Sequence, residues 1–293
     1  MAPVPGPNGG GGRAGARPSV GMRVRAAYDT AARALPPGLP GSVHPREPRR
    51  YDHEREGGCG MRQLVLAVHG SAVPGAGAVT ERLALGVRRL TGAPVVVGHL
   101  GHRSPSLPAV LDGRPGAVVV PLLLGDGYHR TVDVPAVARE FGCVVTPGLC
   151  GEDAVALALH DRRRAAERAA AGPADAVVVA GAGSSGPGGN DGTLDAAERL
   201  GRLLSVPVSV AYCSAASPTP AEAVARARGE GFRRVAVAAH LLAPGRFTRA
   251  LEGLPEAYAV AAPLADHPRL ARLVAARYRA APHGPAAVPL RVA

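Results

Sequence analysis

Residues 63–72 read QLVLAVHGSA, and residues 175–185 read DAVVVAGAGSS. Each is an apolar run of strand length that breaks into a loop of small residues. An uninterrupted apolar run that ends at glycine is the pattern of a parallel strand buried on both faces. The text downstream matches as well. VTERLALGVRRL, with apolar residues at helical spacing and arginine on the other face, answers to DAAERLGRLL. APVVVGHLGHRSPSL answers to VPVSVAYCSAASPTP, and GAVVVPLLLGDGYH to RRVAVAAHLLAPGRF. The spacing is 113 residues from Val68 to Gly181 and from Ser104 to Ser217, and 118 from Gly127 to Gly245. Four elements in one order point to tandem duplication of an α/β unit, with a domain-sized period that excludes a solenoid. Strand alternating with helix specifies a parallel sheet. The expected fold is therefore α/β, with two duplicated lobes, each a parallel sheet flanked by helices.

Between the copies, VDVPAVAREF reads as a short helix, CVVTPGL as a fourth strand and EDAVALALHDRRRAAERAAA as a long helix. DHPRLARLVAARYRAA reads as the last helix, with Asp266 as its N-cap. The expected segments are a tail over 1–60, a first lobe over 61–170, a second, degenerate lobe over 171–281 and a frayed end over 282–293. The tail holds 12 Gly and 9 Pro in 60 residues, which leaves it too little apolar surface to offset its ordering entropy. His44 and His53 fall in it and read as solvated.

Composition narrows the function. Aromatic residues are 3% of the 293, with no Trp, which argues against stacking platforms for single-stranded nucleic acid. All 34 basic residues are Arg, and the net charge is +11. Arg, Ala, Gly and Pro are all in excess, as a GC-rich coding sequence would produce. The Arg are scattered and form no basic stripe, so a small polyanion fits the charge and nucleic acid does not. No apolar stretch reaches membrane-spanning length, and the N-terminus shows no apolar core of signal-peptide type. The four Cys have no CxxC spacing, which speaks against a zinc ribbon and suits a reducing cytoplasm.

Ligands of open α/β sheets bind beyond the carboxyl ends of the strands. In the first copy those ends carry His69-Gly70-Ser71, His99 to Arg103, and Gly125 to His129. Imidazole is the commonest protein ligand for divalent transition metals. The second copy is an internal control, because His69 corresponds to Ala182 and His129 to Phe247. One copy keeps both histidines and the other lacks both, which links them to one site; the alternative is two unrelated structural histidines. The other motifs are weaker. The Gly-rich 181–189 loop lacks GxxxxGK[ST], and HGSAVPG is not a GxSxG elbow. His160 reads as solvated, His240 as core and His267 as a neighbour of a helix cap.

VLAVHGS, HRSPSL, VVVPLLLGDGYHRTVDVP, VVVAGAGSS, AHLLAPGRF and ADHPRL together resemble the sirohydrochlorin chelatase family. These are class II, ATP-independent ferrochelatases and cobaltochelatases, which insert Fe2+ or Co2+ into sirohydrochlorin. The resemblance covers about residues 62–281. It implies a site in the cleft between the lobes, where His69 and His129 hold the metal and help remove the pyrrole protons. It implies that Leu124, Gly125, Asp126, Gly127 and Tyr128 line the macrocycle. It implies no cofactor beyond the substrate metal, and no ATP. The chain departs from the family at Gly101, where many relatives carry an acidic residue and where His99 and His102 flank the position. It departs again at Ala72, where relatives often carry Arg. Sirohydrochlorin bears eight carboxylates, so Arg103 and Arg130 beside the site are candidate clamps, with solvated surface arginines as the alternative. The expectation is a cytoplasmic chelatase of sirohaem or cobalamin biosynthesis that works on a small tetrapyrrole, with no membrane or nucleic-acid partner. The competing readings are a non-catalytic metal or tetrapyrrole carrier, and a nucleotide-binding protein that uses the 181–189 loop.

Overall fold

The 64–68 run, LVLAV, is β1, and all five of its residues are buried. Leu64, Leu66 and Val68 point into one apolar core, and Val65 and Ala67 into another on the opposite face. That two-faced burial requires helices on both sides of the sheet. The computed structural model describes residues 61–71, 73–101 and 103–282. The 1–60 tail with its histidines and Cys59, positions 72 and 102, and the C-terminal end from 283 lie outside the described residues. No helix among the described residues is long and apolar enough to cross a membrane.

The first half runs β1 (Leu64–Val68), α1 (Ala76–Thr91), β2 (Val95–His99), α2 (Leu107–Leu111), β3 (Val118–Leu122), a π-helical turn (His129–Asp133), α3 (Val134–Glu140) and β4 (Val144–Val145). The second runs β5 (Ala176–Gly181), α5 (Asp191–Leu203), β6 (Val208–Tyr212), α6 (Pro220–Gly229), β7 (Val235–His240), α7 (Arg246–Glu252) and β8 (Ala259–Val260). Between them lies α4 (Asp153–Ala169), and after them α8 (Pro268–Arg279). The sheets are parallel, with orders β2-β1-β3-β4 and β6-β5-β7-β8. The two halves repeat each other down to single hydrogen bonds. His99 N donates to Pro105 O at 3.0 Å, and Tyr212 N to Pro218 O at 2.9 Å.

The fourth strand is shorter than the sequence suggests. Val119 O accepts from Thr146 N on the β4 side. Pro121 lies in the same phase of the strand and has no N–H to offer, but the matching ladder in the second sheet also ends after two pairs, where the equivalent Ala239 does carry one. Three short helices, α2, α6 and α7, give no long periodic signal and were not expected. The last helix starts one residue later than Asp266 would place it. His267 is its N-cap and accepts from Arg269 N through Nδ1 at 3.3 Å. Asp266 is drawn away by Arg162 and by Arg82, the latter at 2.9 Å.

Two helices change partners. α4, the last helix of the first half, packs on β7 and β8 of the second sheet. α8, the last helix of the second half, packs on β3 and α1 of the first. α4 also contacts α5 and α8, so one apolar core runs through both halves. It includes the fully buried Leu64, Leu83, Leu159, Leu200 and Leu270. Truncating any of these to Ala costs about 2–5 kcal/mol.

In the first sheet the chain leaves β1 toward the shared core, where Leu83 and Val87 of α1 are buried. It leaves β3 toward the opposite face, where Val134 and Ala138 of α3 are buried. Neighbouring strands whose connections depart to opposite sides leave a crevice at their carboxyl ends. His69 follows β1 and His129 follows β3.

Candidate active site

His69 is fixed through its backbone. Beyond the last paired residues of β1 and β2, Leu100 N donates to Val68 O at 2.8 Å and Gly101 N to His69 O at 3.2 Å. Gly70 then turns with φ +89°, a left-handed conformation. A Cβ there would stand 2.3 Å from Gly101 O. Gly101 thus forms the wall against which the His69 turn is built. His99, at the end of β2, is buried, and burial followed by the charge of Arg103 pushes its imidazole below the ordinary value.

His129 opens the π-helical turn, a wide turn frequently found at functional sites. The rings of His69 and His129 have their centroids 5.1 Å apart and are tilted by 50°. His129 Nδ1 lies 2.6 Å from Asp133 Oδ2, one turn further on. With Nδ1 donating to that carboxylate, Nε2 keeps its lone pair for a metal or a proton. Asp133 lies within the VVVPLLLGDGYHRTVDVP stretch, and its i,i+4 spacing from His129 is the sequence signal that identifies it.

The loop that carries His129 is braced by the other half. A Cβ on Gly192, at the start of α5, would lie 1.9 Å from Leu124 O, and one on Gly125 would lie 2.7 Å from Gly189 O. The small residues of the 181–192 segment therefore permit backbone-to-backbone packing at this interface. Leu124 and Gly125 supply that contact. Asp126 pairs with Arg130, whose aliphatic stem lies against Gly148. Tyr128 is 68% exposed, next to the half-exposed Val132. Arg103 donates to Ser71 O at 3.3 Å, and no carboxylate pairs with it among the described residues. Ser71 Oγ in turn donates to Pro244 O of the second half at 3.2 Å.

Cys150 is not a competing metal ligand. Burial pushes the Cys150 thiol up to about 11, with Asp126 adding to the rise, so it stays protonated and a poor ligand. Among the described residues there is no cluster of three or more His, Cys, Asp or Glu able to hold a metal ion. An ion on the histidine pair would therefore keep most of its coordination positions open for water or substrate nitrogen. In the second half His240 is core, and its Nδ1 is 3.1 Å from Thr193 Oγ1. Burial pushes it down to about 4.

The CbiX family model matches residues 63–166 and again 176–281, one match for each half. A sirohydrochlorin cobaltochelatase of Methanocaldococcus jannaschii is 33% identical over 81 residues, which are 26% of this chain and 57% of that protein. The chain thus aligns with little more than half the length of that curated relative. Solved structures that share the fold include two of SirB. One is the sirohydrochlorin chelatase SirB from Bacillus subtilis subspecies spizizenii in complex with cobalt, with TM-score 0.61 and 20% identity. That match covers 75% of this chain and 94% of the other. The second is SirB from Bacillus subtilis with Fe3+, with TM-score 0.58, 23% identity, and coverage of 75% and 95%.

Proposed function

This chain belongs to the CbiX family, and on that premise we propose that it inserts a divalent metal, Fe2+ or Co2+, into sirohydrochlorin without ATP. The observation that carries the reading is the His69–His129 pair at the β1/β3 crevice, with ring centroids 5.1 Å apart, together with the loss of both histidines in the second copy.

Insertion exchanges two pyrrole protons for one M2+. The macrocycle loses two N–H protons, the ion loses its waters, and two protons leave for solvent. Neutral imidazoles at His69 and His129 hold the incoming ion through lone pairs, release it to the macrocycle nitrogens and take up the displaced protons. Asp133 steadies His129 in both roles, first by orienting Nε2 and then by balancing the imidazolium. In this reading the macrocycle lies in the cleft between the halves, against the 124–128 loop, with Arg103 toward its carboxylates. Arg130 is already neutralised by Asp126 and contributes through that loop. Imidazole accepts Fe2+ and Co2+ alike, so metal supply decides between sirohaem and cobalamin chemistry. We place the reaction in the cytoplasm, which suits free thiols at Cys143, Cys150 and Cys213.

The test is anaerobic conversion of sirohydrochlorin followed by absorbance, with Fe2+ and Co2+ in parallel and no ATP. Acceleration over the enzyme-free rate is the expected result, and the ratio of kcat/KM ranks the metals. Tight binding of the metallated product with no acceleration would overturn the catalytic reading and make the protein a carrier.

A further inference from the structure

We propose that the second half contributes a substrate-binding residue, Arg246, which binds a peripheral carboxylate of the tetrapyrrole opposite Arg103. The proposal rests on the sirohydrochlorin reading of the site and asks what the degenerate copy is for.

The loop 244–247, Pro-Gly-Arg-Phe, occupies the place in the second half that Asp-Gly-Tyr-His, 126–129, occupies in the first. Its histidine has become Phe247, and its exposed tyrosine has become Arg246. The loop has lost metal-binding chemistry and kept its contact with the metal-binding half. Pro244 O accepts from Ser71 Oγ at 3.2 Å, and a Cβ at Gly245 would lie 3.5 Å from that same Oγ. Ser71 stands two residues from His69. Arg246 therefore projects from a segment that abuts the His69 loop.

Its side chain is exposed and pre-placed. The guanidinium carbon sits 5.0 Å from the centroid of the Phe247 ring, a cation–π arrangement. A cation–π contact occupies no N–H group, so the guanidinium keeps the donors that grip a carboxylate with two parallel hydrogen bonds. No carboxylate pairs with Arg246 among the described residues. Many arginines of this Arg-rich surface are unpaired, so that alone singles out nothing. What singles out Arg246 is its place. Arg103 donates to Ser71 O at 3.3 Å, and Arg246 follows directly on the two residues of the opposite half, Pro244 and Gly245, that meet Ser71. Two arginines from two lobes, one bonded to Ser71 and one next to the segment that meets Ser71, match an octacarboxylate that reaches both lobes. The second lobe thus has a role at the site without histidines of its own at these two positions.

The experiment is fluorescence titration of metal-free sirohydrochlorin into the full chain, which needs no turnover. The variants are Arg246→Gln, Arg246→Lys and, as a control for general loss of charge, Arg226→Gln on the exposed face of α6. One charge-assisted bidentate contact predicts that Arg246→Gln raises Kd by about tenfold or more. Arg246→Lys should recover part of the loss, and Arg226→Gln should stay within about twofold of wild type. In turnover, Arg246→Gln should raise KM and leave kcat near wild type, because the contact is distant from the pyrrole nitrogens. A Kd for Arg246→Gln equal to that of Arg226→Gln overturns the proposal, as does absence of sirohydrochlorin binding by the wild-type chain. Binding lost on Arg246→Gln in a wild type that binds but does not insert metal would uphold the Arg246 contact and overturn only the catalytic reading.

Discussion

His129 Nδ1 and Asp133 Oδ2 stand 2.6 Å apart across one π-helical turn, so the imidazole presented to the site is oriented by a carboxylate on its own segment. Partners of this kind fix the ring and its tautomer, and their loss costs about 10–100-fold in metal affinity or activity. Asp133→Ala is expected to lower kcat/KM for insertion within that range. Asp133→Asn, which can still accept from Nδ1, should retain more. Steady-state insertion rates check the order; equal loss in both would mean that the carboxylate charge, and not the orientation, matters.

The histidines carry the larger effect. His69 is exposed and the His129 side chain is 48% exposed, so neither supports the core. His69→Ala or His129→Ala should cut insertion by about two orders of magnitude or more while changing stability by about 0.5 kcal/mol or less. Thermal melts alongside the rate measurement separate the two quantities. Wild-type-like turnover in either variant would remove that histidine from the mechanism.

Gly192 tests the brace between the halves. Adding a methyl group there places it 1.9 Å from Leu124 O and 3.1 Å from Cys150 Sγ, so the loop that carries His129 must move. Overpacking of this kind costs about 1–3 kcal/mol. Gly192→Ala should also lose activity at temperatures where it remains folded. A variant with wild-type kcat/KM would show that the loop adjusts without moving the histidine.

His240 sets a pH dependence. Burial holds its pKa at about 4, below the ordinary value of 6.5. The unfolded chain therefore binds the proton more readily between those values, and stability rises with pH across that window. The contribution is complete above about pH 6.5 and is lost as pH falls toward 4, amounting to about 3 kcal/mol. Asp161 and Asp175 act lower on the scale. Burial pushes both carboxyls up, but Arg269 pulls Asp161 down further, and the backbone N–H groups of Arg233 and Arg234 do the same for Asp175. The corresponding position in the first sheet is Leu122. His240→Leu should therefore flatten the stability profile between pH 4 and 6.5, with Thr193 turning to its own helix as Thr80 does toward Ala76 O. Urea midpoints measured across that range decide it; an unchanged slope would show that another group carries the acid sensitivity.

The sheets and the histidine pair were legible in the sequence because both depend on local patterns. LVLAV and AVVVAG have the strand length and uninterrupted apolar character of parallel strands buried on both faces, and the order of their neighbours sets the crevice. The duplication supplied the contrast between His69 and Ala182 and between His129 and Phe247. The exchange of α4 and α8 was not legible. Each has an apolar face that fits either sheet, and only the folded arrangement decides which sheet it covers. Asp266 misled as a cap because two distant arginines, Arg82 and Arg162, compete for its carboxylate. The short helices α2 and α6 did carry signals, a Ser106 cap followed by Pro108 and the Thr219–Glu222 capping box, but in segments too brief for periodicity to register.

The crossing of α4 and α8 makes the two copies mutually dependent in a way that gene duplication alone does not. Each sheet is roofed by a helix encoded in the other half, so peeling either helix away uncovers apolar surface on both sides at once. The copy that lost its histidines cannot be discarded as a spare part: it holds the roof of the copy that kept them.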